Sequence, residues 1–384
     1  MRTLPLPTSR PTLRRLVLAL GGLAVVASGC AARQKAGEVA WPLPPDKPRV
    51  KYVRSISVER DLDPSIWRRA GRSLVTTEES DAILQPTGIA LSADEQRLYV
   101  ACVSRNRVIE VDLTNRTMHR VAEPEGYRPK TPFAVAIDAD DTLYVSDSSE
   151  GLVWTYDRDG KFVRQIGKRI LERPTGIAVD RRRQLLYVVD GGRKGSQNHK
   201  VEVFSLAGDH VRTIGKRGSG PGELNFPDYV AVAPDGNVYV SDMLNFRVQV
   251  FDPEGTLVTM FGSVGQGPGE FDKLKGIAFD GFGNVHAVDG QTGIVQIFNS
   301  RHQVLMAYGG RANRIEFTIL PTAIAIDSRN NIYLADWGGS RVNQYMLFDT
   351  TAEDSVEGAA NTHIDGKGPR TVGPMPQQPT VNAP

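Results

Sequence analysis

Cysteine is nearly absent from this 384-residue chain, which has only Cys30 and Cys102. A disulfide framework is excluded as the source of stability, and there is no Cys-x-x-Cys pair to hold a metal or run thiol chemistry. Histidine is scarce as well: His119, His199, His210, His286, His302 and His363 show no His-x-His or Glu-x-x-His spacing. No glycine run leads into Gly-Lys-Ser/Thr and no Gly-x-Ser-x-Gly elbow occurs, so phosphate-loop and serine-hydrolase signatures are missing. The apolar run Leu16–Ala27 is about a dozen residues, too short to cross a bilayer as a helix. Inside the repeats described next, no window sustains helical periodicity.

What the chain has instead is recurrence. A small apolar strand returns six times: Pro86-Thr-Gly-Ile-Ala-Leu, Pro132-Phe-Ala-Val-Ala-Ile, Pro174-Thr-Gly-Ile-Ala-Val, Pro227-Asp-Tyr-Val-Ala-Val, Leu274-Lys-Gly-Ile-Ala-Phe and Pro321-Thr-Ala-Ile-Ala-Ile. The equivalent alanines, from Ala90 to Ala325, recur at about 47 residues, the period of a four-stranded propeller blade rather than a helical solenoid. In five copies a second strand follows and ends on an acid: Asp147, Asp190, Asp242, Asp289 or Asp336. These acids read as caps of the following loop, because carboxylates on successive blades stand too far apart to share a cation.

The fourth copy shows the grammar. Tyr229–Val232 is an uninterrupted small-and-branched run suited to an innermost strand packed on both faces. Pro234-Asp-Gly-Asn makes a tight turn, Val238–Asp242 and Arg247–Phe251 alternate at period two, and Leu257–Phe261 forms the outer strand. Gly262 to Phe271, with Gly267-Pro-Gly-Glu inside it, links to the next copy. This succession of Pro-x-Gly-Ile-Ala, Asn-Val-Tyr-Val-x-Asp, Arg-Val-Gln-Val-Phe-Asp and Gly-x-Gly-Pro-Gly-Glu-Phe resembles NHL repeats over roughly residues 86–349. The resemblance implies a six-bladed propeller. Blade one departs most, with Cys102 in place of the acid and no glycine-rich closing run.

The expected fold is therefore all-β, a six-bladed β-propeller of four-stranded antiparallel blades. The sixth copy lacks an outer strand, and Tyr52-Val-Arg-Ser-Ile-Ser matches the outer strands Phe162-Val-Arg-Gln-Ile and His210-Val-Arg-Thr-Ile. The N-terminal strand at residues 50–57 is thus expected to complete the last blade and close the ring. Residues 58–85 read as an insert with a short helix beginning at Asp63-Pro-Ser. Residues 350–384, rich in Pro, Gly, Gln, Asn and Thr, read as a disordered tail.

The first thirty residues suggest an address. Arg2, Arg10, Arg14 and Arg15 precede the apolar run with no acid among them, and the run ends at Ala27-Ser-Gly-Cys30. This resembles a bacterial lipoprotein box, which implies that residues 1–29 are removed and Cys30 carries acyl chains. Residues 30–49, with Pro42, Pro44, Pro45 and Pro48, then form an extended tether. Ala31 follows the cysteine. By the same resemblance, a Gram-negative source would place the protein on the outer membrane, facing the periplasm. Loss of four arginines takes the formal charge from +2 to −2, which leaves no sign of nucleic-acid binding.

Charge within the ring points to a surface. Links from strand two to three and from blade to blade emerge on one face. That face collects Arg105, Lys168, Arg169, Arg193, Lys194, Lys216, Arg217 and Arg311, while Asp94, Asp138, Asp157 and Asp235 fall in the opposite turns. Near the channel mouth on the basic side Phe133, Asp228, Tyr229, Lys275 and Trp337 are expected. Aromatics beside charges suit an envelope protein, peptide or glycan partner captured by a single propeller without cofactor or metal. The rival reading is a metal-dependent hydrolase or lyase of lactonase type. The inner strands offer no histidine or glutamate for it, and His286 reads as a core residue in a slot that other repeats fill with tyrosine.

Overall fold

A computed structural model describes residues 39–42, 46–62, 81–121, 124, 126–312 and 314–351. The leader, Cys30, the insert helix and all but the start of the tail lie outside the described residues. The unit from Ala40 onward holds every described strand.

Six antiparallel sheets follow in chain order. Blade one runs through Pro86–Leu91, Arg97–Cys102, Arg107–Asp112 and Thr117–Val121. Blade two is Pro132–Ile137, Leu143–Asp147, Leu152–Tyr156 and Phe162–Ile166; blade three is Pro174–Asp180, Leu185–Asp190, Lys200–Ser205 and His210–Ile214. Blade four is Pro227–Val232, Val238–Asp242, Arg247–Phe251 and Leu257–Phe261, and blade five is Leu274–Phe279, Val285–Asp289, Ile294–Phe298 and Val304–Gly309. Blade six takes Pro321–Ile326, Asn331–Asp336 and Arg341–Leu347 from the C-terminal end and Val50–Ile56 from the N-terminal end. The chain is an all-β six-bladed propeller, as the repeats imply.

Small residues near the start of five of the six inner strands let the blades meet at the centre. A Cβ added to Gly88 would lie 2.5 Å from the Ala134 Cα of the next blade, and one added to Gly176 would lie 2.5 Å from the Tyr229 Cα. Both are backbone approaches that only glycine permits. The recurring acids then pin each link to its blade. Asp147 accepts from the backbone N–H groups of Lys130 (2.6 Å) and Thr131 (3.1 Å), and Asp190 accepts from Glu172 and Arg173 at 2.9 Å each. Asp336 does the same with Leu320, at 3.0 Å. They are structural clasps, satisfying donors that enter the ring without a sheet partner.

The glycine-rich links are built alike. Glu223 accepts from the Gly220 N–H and Glu270 from the Gly267 N–H, both at 2.9 Å, while Leu224 and Phe271 plug the blade junctions. Gln249 and Gln296 reach from strand three to the Glu223 and Glu270 carbonyls. On the outer strands the period-two reading fails at one position. Val53, Val163, Val211 and Val258 fall where the register shifts, and all four are exposed. Bulges at this place bend the outermost edge away from regular pairing and blunt it against edge-to-edge association.

The seam forms as expected, with one addition. Val50–Ile56 pairs antiparallel with Arg341–Leu347, from Val50 opposite Leu347 to Ile56 opposite Val342. Side chains reinforce it: Arg54 Nε donates to Gln344 Oε1 (2.8 Å) and Ser55 Oγ to Asn343 Oδ1 (2.6 Å). The extended tether read over residues 30–49 is corrected at its end, because Ala40–Trp41 pairs with Val50 and Lys51 as a fifth strand. Burial of the indole accounts for this: Trp41 is 2% exposed and packs edge-on against Phe317 and Tyr345, both at 5.8 Å.

Candidate functional site

The centre of the ring is occupied by a side chain. At the third position of the inner strands five blades carry Gly88, Ala134, Gly176, Gly276 and Ala323, and blade four carries Tyr229. Its ring lies 5.8 Å from Phe133 of blade two, and its phenol crosses the hub to donate to the Thr87 carbonyl of blade one at 2.6 Å. Burial, with Asp228 adding to it, pushes that phenol well above its ordinary pKa. Tyr229 was expected at the channel mouth as a contact residue. It is instead a hub plug, 6% exposed, because five small neighbours leave room for one large ring.

Asp228 likewise turns inward. It is 5% exposed and forms an ion pair with Lys275 of blade five, whose Nζ also approaches Met243 Sδ at 3.6 Å. The two charges expected to receive ligand therefore satisfy each other. Replacing Lys275 by methionine should cost about 2 kcal/mol, below the range for a fully buried pair because the lysine keeps some solvent contact. Adding Asp228→Leu to Lys275→Met should recover most of that loss, since no carboxylate is then left unpaired. Chemical denaturation of the two variants checks the cycle; equal losses would mean that the pair contributes nothing specific. Trp337 is half-buried just after strand two of blade six, where its backbone N–H donates to the Leu320 carbonyl at 3.0 Å.

The remaining expected cations are exposed, but most are tied locally. Arg193 donates to the Ser149 carbonyl (3.4 Å), Arg217 to the Ser196 carbonyl (2.8 Å) and Arg311 to the Gln291 carbonyl (3.4 Å). Lys216 pairs with Glu223 at 3.3 Å, while Lys168, Arg169 and Lys194 project from the links and loops of blades two and three. A denser gathering lies at blades one and two. There Arg105, Arg107, Arg120, Arg128 and Lys130 line a cleft of about 470 Å³ together with Asn106, Gly126 and Pro129. Of these cations only Arg105 belongs to the set read from sequence. The available signal was blade one's departure from the repeat, where Cys102 replaces the acid. That cysteine is buried, and burial pushes its thiol up to about 11, which fits a core residue and not a nucleophile.

Among the described residues no three of His, Cys, Asp and Glu come together as a ligand set. The described histidines serve the blades. His286 sits between Asp280 (3.3 Å) and Tyr308 (3.2 Å), taking over the contact that Tyr144 makes with Asp138 at 3.0 Å in blade two. His199 Nδ1 accepts from the Phe226 N–H, His210 meets Glu202, and His302 bonds Tyr239 and stacks on Phe261. His119 lies beside Glu110 on an outer strand of blade one.

Comparison with known proteins agrees with this architecture. A family model described as the SMP-30/gluconolactonase/LRE-like region matches residues 62–188, about a third of the chain. No curated protein matches. Among solved structures, virginiamycin B lyase from Staphylococcus aureus is similar at 13% identity, with a TM-score of 0.51 over 68% of this chain and 80% of that one. A gluconolactonase from Xanthomonas campestris is similar at 19% identity, with a TM-score of 0.53 over 70% and 87%. A chain of the nidogen/laminin complex is similar at 18% identity, with a TM-score of 0.50 over 59% and 82%. At these identities the likeness defines the class, a six-bladed propeller with four-stranded antiparallel blades, and nothing finer.

Proposed function

We propose that the chain is a membrane-tethered extracytoplasmic binding module, an NHL-type propeller held by acyl chains on Cys30. It presents its loop-rich basic face to an envelope protein, peptide or glycan. The observation that carries this reading is the hub. Tyr229 fills the place where a channel ligand would sit and the Asp228–Lys275 pair satisfies itself, so ligand contact falls to the outer face. The basic start, the short apolar run and Ala27-Ser-Gly-Cys30 support the anchor. The same start supports an envelope location, the outer membrane facing the periplasm in a Gram-negative cell.

Crosslinking in cells tests the face. Glutamine at Lys168, Arg169, Lys216 and Arg217 together should cut partner capture by about tenfold, as expected when several interface charges are lost. Capture at the parental level would remove the surface assignment. Membrane fractionation of Cys30→Ser tests the anchor, with release into the soluble fraction expected. A second reading, a lactonase-like enzyme, is favoured by the family match over residues 62–188. Lactone hydrolysis by the full chain that disappears on chelation would establish it and displace the binding module.

A further inference from the structure

We infer that the half of the link face spanning blades four to six lies against an anionic lipid surface. The inference rests on the acyl anchor at Cys30, and it leaves the arc around Lys168, Arg169, Lys216 and Arg217 open to a partner.

Exposed large apolar side chains are divided unevenly over the disc. Leu244 lies in the strand two to three loop of blade four, Val264 in the link from blade four to five, and Ile315 and Ile319 in the link from blade five to six. Val264 is 66% exposed and Ile315 55%. On the other half of this face Ile170 is exposed, as is Tyr127, which stacks on Phe162. Among the described residues the turns of the opposite face expose no large apolar side chain, and they carry acids such as Asp157, Asp235 and Glu254. Scattered apolar side chains need no explanation, but this confinement to one face does.

The charges of the same arc favour lipid. Lys273, Arg311 and Arg314 are exposed there. The acids are drawn inward: Glu270 caps the Gly267 N–H, Asp289 accepts from the Asp272 N–H at 2.7 Å, Asp336 clasps Leu320, and Glu316 is buried. Asp272 is half-buried and bonded to Gln266. Branched apolar groups flanked by cations suit a membrane interface, where the former enter the headgroup boundary and the latter meet lipid phosphates.

The chain that carries the anchor arrives on this side. Val50–Ile56 runs from the turn face, where Val50 is opposite Leu347, to the link face, where Ile56 is opposite Val342. Ala40–Trp41 is antiparallel to it, so the chain enters Ala40 from the direction of the link face. Trp41 then packs on Phe317, which stands between Ile315 and Ile319 in sequence. Cys30 precedes Ala40 by ten residues, a reach of at most about 36 Å. Acyl chains on Cys30 therefore hold the blade six seam within that distance of the bilayer.

A fluorescent label tests the contact. Cys102 is buried and an acylated Cys30 has no thiol, so Val264→Cys, Ile315→Cys and, on the opposite face, Glu254→Cys each take a single nitrobenzoxadiazole group. All three positions are exposed, and an unchanged melting temperature shows that the ring persists. The full chain is reconstituted in vesicles of phosphatidylethanolamine and phosphatidylglycerol with brominated acyl chains. Labels at 264 and 315 should be quenched about threefold more than the label at 254, since interfacial apolar groups sit about 5–10 Å into the headgroup and acyl boundary. Equal quenching at all three positions, or none while the chain stays on the vesicles, overturns the contact and leaves the anchor standing. In cells, a blue shift at 264 and 315 without quenching on vesicles assigns the arc to a protein partner and overturns it too. Recovery of the parent in the soluble fraction of cells removes the anchor instead. The labelled chain mixed with the same vesicles then decides the contact alone, with quenching at 264 and 315 sustaining it and its absence overturning it.

Discussion

Excising residues 40–57 is expected to abolish cooperative unfolding and drive the chain into aggregates. The seam is the one place where the two ends of the ring meet. Val50 and Ile56 are fully buried and Trp41 is 2% exposed, so the excision removes three large apolar side chains and uncovers the pockets that received them. It also strips Arg341–Leu347 of its pairing partner, leaving a seven-residue strand as an open sheet edge. A closed ring distributes strain and burial over every blade junction, whereas an open one leaves two blades with bare flanks. Thermal melts by circular dichroism and size-exclusion chromatography report both outcomes. Ile56→Ala tests the same seam without removing it and should lose about 2–5 kcal/mol in chemical denaturation. An excised chain that elutes as a monomer and melts within a few degrees of the parent would mean that the ring closes elsewhere.

That seam was legible because its signal is local and repeated. A strand with the pattern Val-Arg-x-Ile recurs on the outside of blades two and three, the sixth copy runs out one strand early, and the leftover match sits at the other end. The acids after strand two were legible for the same reason: a residue returning at a fixed place five times is doing a job of the repeat, and Asp147, Asp190 and Asp336 each clasp the incoming link. Trp41 escaped notice because a two-residue strand has no periodicity to read and its prolines suggest a tether.

The candidate site was read less well, since it depends on departures from the repeat. Tyr229 was read as one of five residues around the channel mouth, and the structure buries it at the hub. Sequence put it near the channel mouth, but its consequence comes from Thr87, 142 residues away, and from five small residues spread over the other blades. The basic cleft at blades one and two was hidden similarly. Charges were assigned to a face from the loops alone, whereas Arg107 and Arg120 reach the cleft from strands three and four of blade one, and Arg128 and Lys130 from the link into blade two. Cys102 is an exception to the acid pattern, and it lies buried where blades four and six place an acid paired with the arginine that opens strand three.

Tyr229→Ala should lose about 3–5 kcal/mol, the scale of an aromatic side chain removed from a packed interior. Tyr229→Phe keeps the ring and loses only the bond to the Thr87 carbonyl, a cost of about 1 kcal/mol with some added penalty for the carbonyl left behind. The contrast between the two variants separates filling from bonding. If filling dominates, as the five small residues around the hub imply, alanine opens an apolar cavity at the centre of the ring while the blades themselves stay folded. Small hydrophobic probes should then protect Tyr229→Ala against unfolding and leave the parent unaffected, because only the variant has a dry space to offer them. Should Tyr229→Ala melt like the parent, the ring's centre is already open to solvent. Ligand contact would then no longer fall to the outer face, and the channel would again be the place to look for a small substrate.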